Sequence, residues 1–401
     1  MFRTYPRDFW RISASMFFFI LSFNLILPEM NAYITLLGGQ TWKGSIIFLF
    51  SIAAGLSRPF AGKLADLIGR KKSIYIGILI SLIICLSYPF FQFLGIFLLL
   101  RFLHGLSAGF APTGATALVT DILPSDRKGA AMGLWGTFIS LGIGVGQALG
   151  SYIFAISNFE ILFYCAGFFS LCAFLFVIPI KETLPSPLRF KFAHLRVKWQ
   201  DVFEPSVRNA AAIMLFTAIS SGVIFVLSPD LSTYFNIENK GYFFGIYVLS
   251  TIIMRLAFSS ISDRIGRKET LVIGCTVLVL SMSLLALSEG MMSYTLAAVF
   301  FGLATGISSP TLFAWTADLS PSKRRGSGAG TLFLALELGI LVGSGLTVFI
   351  YKNTLQSAQN CIWVATFFAL IAVVLLVKDI NKTKQGVLNR GSVSSHNDPS
   401  K

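Results

Sequence analysis

The sequence predicts an all-α membrane protein: 12 transmembrane helices in two parallel six-helix pseudo-repeats. Three observations carry that prediction. Hydrophobic residues make up 55% of the 401 and charged residues only 12%, where soluble domains carry about a quarter charged. Apolar runs long enough to cross a bilayer, about 20 residues as helix, recur twelve times. Charged and glycine positions of the first six runs return at a constant offset in the last six. A chain so apolar, with a mean hydropathy of +0.75, is excluded as a soluble enzyme, a disordered protein or a secreted disulfide scaffold.

In chain order the runs fall near 12–34, 43–61, 74–92, 95–119, 130–153, 160–180, 208–230, 241–261, 271–288, 292–317, 327–350 and 358–377. The first is too long for a removable signal peptide and lacks a small-x-small cleavage site. Every linker but one is short. The exception, 181–207, divides the chain into an N-terminal half, 1–180, and a C-terminal half, 208–377. Its segment Arg189-Phe190-Lys191-Phe192-Ala193-His194-Leu195-Arg196-Val197-Lys198-Trp199 interleaves basic and apolar residues, a pattern suited to lying on an anionic lipid surface. The polar tail, 378–401, is rich in Ser, Asn and Lys and is expected to be disordered.

The net charge of +14 would suggest nucleic acid in a soluble protein, but no nucleic-acid fold signature accompanies it. Placement explains it better. With the N-terminus inside, only Lys43, Lys240 and Lys352 fall in outer linkers, and Arg58, Arg101 and Arg255 lie within spans. All other Lys and Arg are cytoplasmic, which sets both termini inside. Cys85, Cys165, Cys172, Cys275 and Cys361 lie in apolar runs without a CxxC pair, so they read as small hydrophobes rather than disulfide or metal ligands.

The halves align at an offset of 197: Arg58 with Arg255, Asp66 with Asp263, Gly69 with Gly266, Arg70 with Arg267, Gly105 with Gly302, Gly109 with Gly306, Asp121 with Asp318, Pro124 with Pro321, Arg127 with Arg324, Gly142 with Gly339 and Gly146 with Gly343. The offset joins spans of equal orientation, so the repeats are parallel. Two parallel six-helix halves around a central site are a transporter architecture.

Between spans 2 and 3 runs Gly62-Lys63-Leu64-Ala65-Asp66-Leu67-Ile68-Gly69-Arg70-Lys71-Lys72, echoed by Asp263, Gly266, Arg267 and Lys268. This resembles the G-x-L-x-D-x-x-G-R-K/R signature of the major facilitator superfamily, and the resemblance covers the whole spanning region. Gly69 permits a tight turn. The resemblance implies a cytoplasmic gate in which Asp66 sits near the start of span 11 and Arg70 meets an acid ending span 4. Asp121 is that acid here, and Asp318 the equivalent partner of Arg267. Span 4 carries Arg101-Phe102-Leu103-His104-Gly105, similar to the family's R-x-x-Q-G motif with His104 in place of Gln. Arg101 stands about 9 Å outward of the span's middle, where a charge is costly and implies function; snorkelling to the outer interface is the alternative. The run Gly142-Ile143-Gly144-Val145-Gly146-Gln147-Ala148-Leu149-Gly150-Ser151 resembles the family's exporter signature G-x-x-x-G-P-x-x-G-G, departing from it at Gln147 and Ser151.

Two acids fall within spans, Glu29 after Pro28 in span 1 and Glu337 at the middle of span 11. Low dielectric disfavours an ionised carboxyl, so both are candidate proton carriers, and Glu29 could instead pair with Arg101. Asn24 and Gln147 are candidates for a polar cavity wall and His104 for a pH-sensitive or packing role.

These readings converge on a secondary transporter with a small-molecule substrate and protons as partners in a lipid bilayer, expected to be a monomer in a bacterial inner or plasma membrane. Proton-coupled export of a lipophilic or amphipathic compound is the leading expectation. Proton-driven uptake of an organic acid or sugar and a non-transporting sensor are the rivals. No G-x-x-x-x-G-K-S/T loop is present; no cofactor, metal or nucleic acid is expected.

Overall fold

The computed structural model describes residues 5–123, 128–191, 194, 196, 202–258, 261–321 and 325–394. Among them every regular element is helical. Twelve principal helices run α1 (Arg7–Ile26), α2 (Lys43–Ile68), α3 (Arg70–Ser87), α4 (Leu94–Ile122), α5 (Lys128–Ala155), α6 (Phe159–Val177), α7 (Arg208–Tyr234), α8 (Tyr242–Phe258), α9 (Arg267–Ala286), α10 (Met291–Leu319), α11 (Arg325–Ile350) and α12 (Leu355–Ser394). Eleven of the twelve expected spans are long and apolar enough to cross a membrane by themselves. The other, α8, has 17 residues, and a short helix, Ile261–Ile265, follows it.

Span 1 is bent. Pro28 has no N–H for the helical ladder, and α1 passes through a tight turn, Leu27–Glu29, into a short helix, Met30–Leu36. The bend aims Glu29 and Asn31 sideways. At the other terminus, α12 continues to Ser394, past the end of the apolar run at 377. Extending an existing helix adds one hydrogen bond per residue fixed, without a new nucleus. Residues 395–401 lie outside the described residues.

Within the first half, α1 packs on α5 and α6, α2 on α4, and α3 on α4 and α6. The second half repeats the pattern: α7 packs on α11 and α12, α8 on α10, and α9 on α10 and α12. Without a hydrophobic drive between helices in lipid, close packing needs small residues. A Cβ on Gly105 would strike the Phe50 carbonyl, and one on Gly302 the carbonyl of Tyr247, the repeat equivalent of Phe50.

The halves meet along two helix pairs, α2 with α11 and α5 with α8, which the offset exchanges. We call the end carrying the Gly69 and Gly266 turns the basic end. Away from it, one apolar core runs through both halves, including Leu25, Tyr88 and Phe163 from the first and Val223, Phe243 and Tyr294 from the second. Toward the basic end the core divides. One cluster around Phe9, Ile74 and Val119 belongs to the first half, and another around Ala210, Leu271 and Leu312 to the second. The described side chains thus join the halves at the far end and separate them at the basic end.

Packing this close predicts a sharp contrast between glycines. Gly105→Leu should lower stability by about 1–3 kcal/mol, seen as a lower melting temperature in detergent. Gly245→Ala on α8, where an added Cβ meets nothing within 4 Å, should hold or raise it by up to about 1 kcal/mol.

Candidate functional site

Polar contacts between the halves fall in two layers. The far-end layer is a double clamp. Lys240 Nζ lies 2.5 Å from Glu29 Oε2, and Ser151 Oγ donates to the other carboxylate oxygen at 3.1 Å. Lys43 Nζ lies 2.7 Å from Asp230 Oδ2, which also accepts from the Tyr351 hydroxyl at 2.5 Å. Asn31 Nδ2 donates to Asp230 Oδ1 at 3.1 Å and to the Val226 carbonyl at 2.9 Å. Each lysine therefore reaches from one half to an acid that ends the first span of the other. Glu29 is 2% exposed, and its partner is Lys240 rather than Arg101.

Lys43, Lys240 and Asp230 were not among the site residues expected from sequence. A signal existed: Lys43-Gly44 recurs 197 residues on as Lys240-Gly241, and Pro28-Glu29 has an echo in Pro229-Asp230. Gly44 lies against the backbone of Val348 on α11, and Gly241 against that of Gln147 on α5. The lysine-bearing segments can approach the opposite half because they carry no side chain there.

The second layer lies deeper along α2–α11 and α5–α8. Glu337 is 7% exposed and is held by Arg58 of the other half, whose Nε donates at 3.2 Å and whose Nη2 donates to the same oxygen. The Arg58 guanidinium also lies 4.9 Å from the centre of the Phe333 ring, a cation–π contact. At the repeat-related place, Arg255 Nη1 donates to Ser140 Oγ at 3.1 Å. Ser140 is the repeat equivalent of Glu337.

The remaining candidates stay within the first half. Gln147 Nε2 donates to Asn24 Oδ1 at 3.1 Å, joining α5 to α1. Arg101, 2% exposed, lies over Phe50 at 5.1 Å and donates to the Tyr88 hydroxyl at 3.4 Å. That hydroxyl meets His104 Nδ1 at 3.3 Å, while His104 Nε2 meets Ser81 Oγ at 3.1 Å. Ser81 continues to Ser170 and Ser22. Arg101 and His104 thus share one buried network linking α1, α3, α4 and α6.

At the basic end Gly69 and Gly266 have φ of +125° and +101°, which glycine adopts without a Cβ clash. Each turn lets the next arginine fold back. Arg70 reaches Asp121 at 3.1 Å and Asp66 at 3.0 Å, and Arg267 reaches Asp318 at 3.0 Å. These ion pairs tie helices of one half together. The Asp263 side chain, Pro124, Arg127 and most of the basic linker lie outside the described residues, as do the side chains that begin α11, the expected seat of Asp66.

The first turn holds one contact not expected from sequence. Glu182, just after span 6, accepts from the backbone N–H of Arg70 at 3.0 Å and of Lys71 at 3.1 Å. A carboxylate there satisfies free donors and the positive end of α3. In the second half Glu269, in the first turn of α9, lies over Gly266 instead.

Two parallel six-helix halves meeting around buried, cross-linked charges define a membrane transporter architecture. The comparisons agree. The Major Facilitator Superfamily profile matches residues 12–237 and 210–396, and the chain belongs to that family. It is 24% identical over 349 residues to Multidrug resistance protein 2 of Bacillus subtilis, covering 83% of this chain and 86% of that one. It is 26% identical over 382 residues to the multi-drug resistance efflux pump PmrA of Streptococcus pneumoniae, covering 89% and 94%. The crystal structure of the human organic anion transporter MFSD10 superposes with a TM-score of 0.74 at 19% identity, covering 92% of this chain and all of that one.

Two outcomes follow from the geometry. In a protein with its cysteines replaced, Thr347→Cys beneath Gly44 should be labelled slowly by a membrane-impermeant maleimide. Adding Lys43→Ala should raise that rate by roughly tenfold, the effect of ~1.4 kcal/mol on the opening equilibrium, and Lys43→Arg should not. Glu182→Gln should lower stability by about 0.5–2 kcal/mol, the usual scale of a lost cap, read as a melting temperature in detergent.

Proposed function

We propose that this protein is a proton-coupled exporter of lipophilic or amphipathic small molecules, working as a monomer by alternating access in a bacterial plasma membrane. In this reading the basic end and both termini face the cytoplasm. The observation that carries it is Glu337, an acid buried between the halves and held by Arg58 of the opposite half.

The ion pair makes a proton-sensitive tie. With Glu337 ionised, a charge-assisted contact joins α2 and α11. A proton on the carboxyl removes the charge that holds Arg58 and frees the halves to rock. Breaking a buried pair by removing one charge costs about 3–5 kcal/mol. Driving a two-state equilibrium from 1:99 to 99:1 takes ~5.5 kcal/mol. One protonation, with help from substrate contacts, is therefore the right size to bias the cycle.

The described arrangement, clamped at the far end and divided at the basic end, suits the inward-facing stage at which cytoplasmic cargo enters. Rupture of the Lys43–Asp230 and Lys240–Glu29 pairs would open the outer side and admit a proton toward Glu337. Export is favoured because relatives matched over most of their length are named for drug resistance and efflux.

Proteoliposomes with an imposed pH gradient test this with a lipophilic dye as cargo. The wild type should move dye against the proton flow. Glu337→Gln should abolish gradient-driven accumulation while leaving dye exchange without a gradient. Undiminished accumulation by Glu337→Gln would overturn the assignment, and dye moving with the protons would reverse the direction.

A further inference from the structure

The two deep arginines are repeat equivalents with unequal surroundings. Arg58 has an acid, Glu337, and an aromatic lid, Phe333. Subtracting the offset of 197 puts Ser140 and Gly136 in the corresponding places around Arg255. Ser140 supplies a hydroxyl oxygen at 3.1 Å, which accepts a hydrogen bond but does not neutralise a guanidinium. The Arg255 Nε is buried and has no hydrogen-bond partner among the described residues. Where Phe333 covers Arg58, Gly136 offers no side chain, and its Cβ position would stand 3.4 Å from Arg255 Nη1.

A cation within a membrane span is costly and is kept where it faces a partner or a cavity. The first half's arginine is satisfied by the protein. The second half's arginine has an orphaned donor, a neutral neighbour and a glycine where its counterpart meets a ring. It stands on α8 against α5, along one of the two lines where the halves meet. A planar fork of donors matches a carboxylate, sulfonate or phosphate in a two-point contact.

We propose that Arg255, Ser140 and Gly136 form a seat for an anionic group on the transported molecule, the group taking the place that Glu337 fills beside Arg58. Ser140 keeps the guanidinium aimed, and Gly136 lays no ring over it. The cargo is then an amphiphile with one anionic group on an apolar body. The assignment of the occupant as cargo rests on the exporter reading; the seat itself does not.

The test is equilibrium binding, which needs no gradient. The full chain in nanodiscs of uncharged phosphatidylcholine is titrated with anilinonaphthalene sulfonate and with phenylnaphthylamine, the same ring system without the sulfonate. The wild type should bind the sulfonate about tenfold more tightly than the neutral probe, after subtracting empty discs. Arg255→Gln should erase that preference while keeping the affinity for the neutral probe. Ser140→Glu, which supplies the missing acid from within, should erase it as well, and Ser140→Ala, which removes the aiming hydroxyl, should weaken it. Preference surviving in Arg255→Gln or in Ser140→Glu would overturn the seat, as would its absence from the wild type. In phosphatidylglycerol discs, the advantage of wild type over Arg255→Gln should persist. Its disappearance there would give the seat to a lipid headgroup and overturn the cargo assignment. Failure of gradient-driven dye transport would refute the exporter reading while leaving this binding preference intact.

Discussion

An ionised side chain inside a bilayer must find its counter-charge within the protein, and here the counter-charge repeatedly comes from the other half. Arg58 holds Glu337, Lys240 holds Glu29 and Lys43 holds Asp230. Lipid offers helices no hydrophobic reason to associate, so such pairs carry much of the specificity with which the halves meet.

The duplication is close in backbone and unequal in chemistry. The same helix pairs pack in both halves, and the same glycines bring the same elements together. Yet the repeat equivalents of Glu337 and Phe333 are Ser140 and Gly136, and Arg101 corresponds to Ala298. Arg101 and His104 belong to a hydrogen-bonded network of Tyr88, Ser81, Ser170 and Ser22 inside the first half. The scaffold is symmetric, and the departures from symmetry are concentrated in its buried polar residues.

Much of this was legible in the sequence, for identifiable reasons. Span number follows from hydropathy because hydrocarbon thickness fixes the length of helix that crosses it. Pairs such as Arg70 with Asp121 and Arg267 with Asp318 were legible because they occur inside each repeat, and the offset displays them twice. Contacts across the halves were not. Comparing a half with its copy reveals which positions are equivalent, but not which face of one bundle meets the other. Glu337 was therefore singled out without Arg58, and Glu29 without Lys240. The run of α12 to Ser394 was hidden for another reason: a polar composition speaks to the cost of starting a helix, not to that of prolonging one.

The connector between the halves carries a lesson about modularity. Hydropathy ends the first bundle at residue 180, yet the carboxylate closing the start of α3 belongs to Glu182, and Leu188 donates its N–H to Leu67 at 2.8 Å. The second bundle keeps its own acid, Glu269, in the first turn of α9. Were the chain made as two separate polypeptides, the position of the cut would thus be unequal in its effect. A break beyond residue 188 leaves the Glu182 and Leu188 contacts with the first fragment, whereas one at 180 strips it of both.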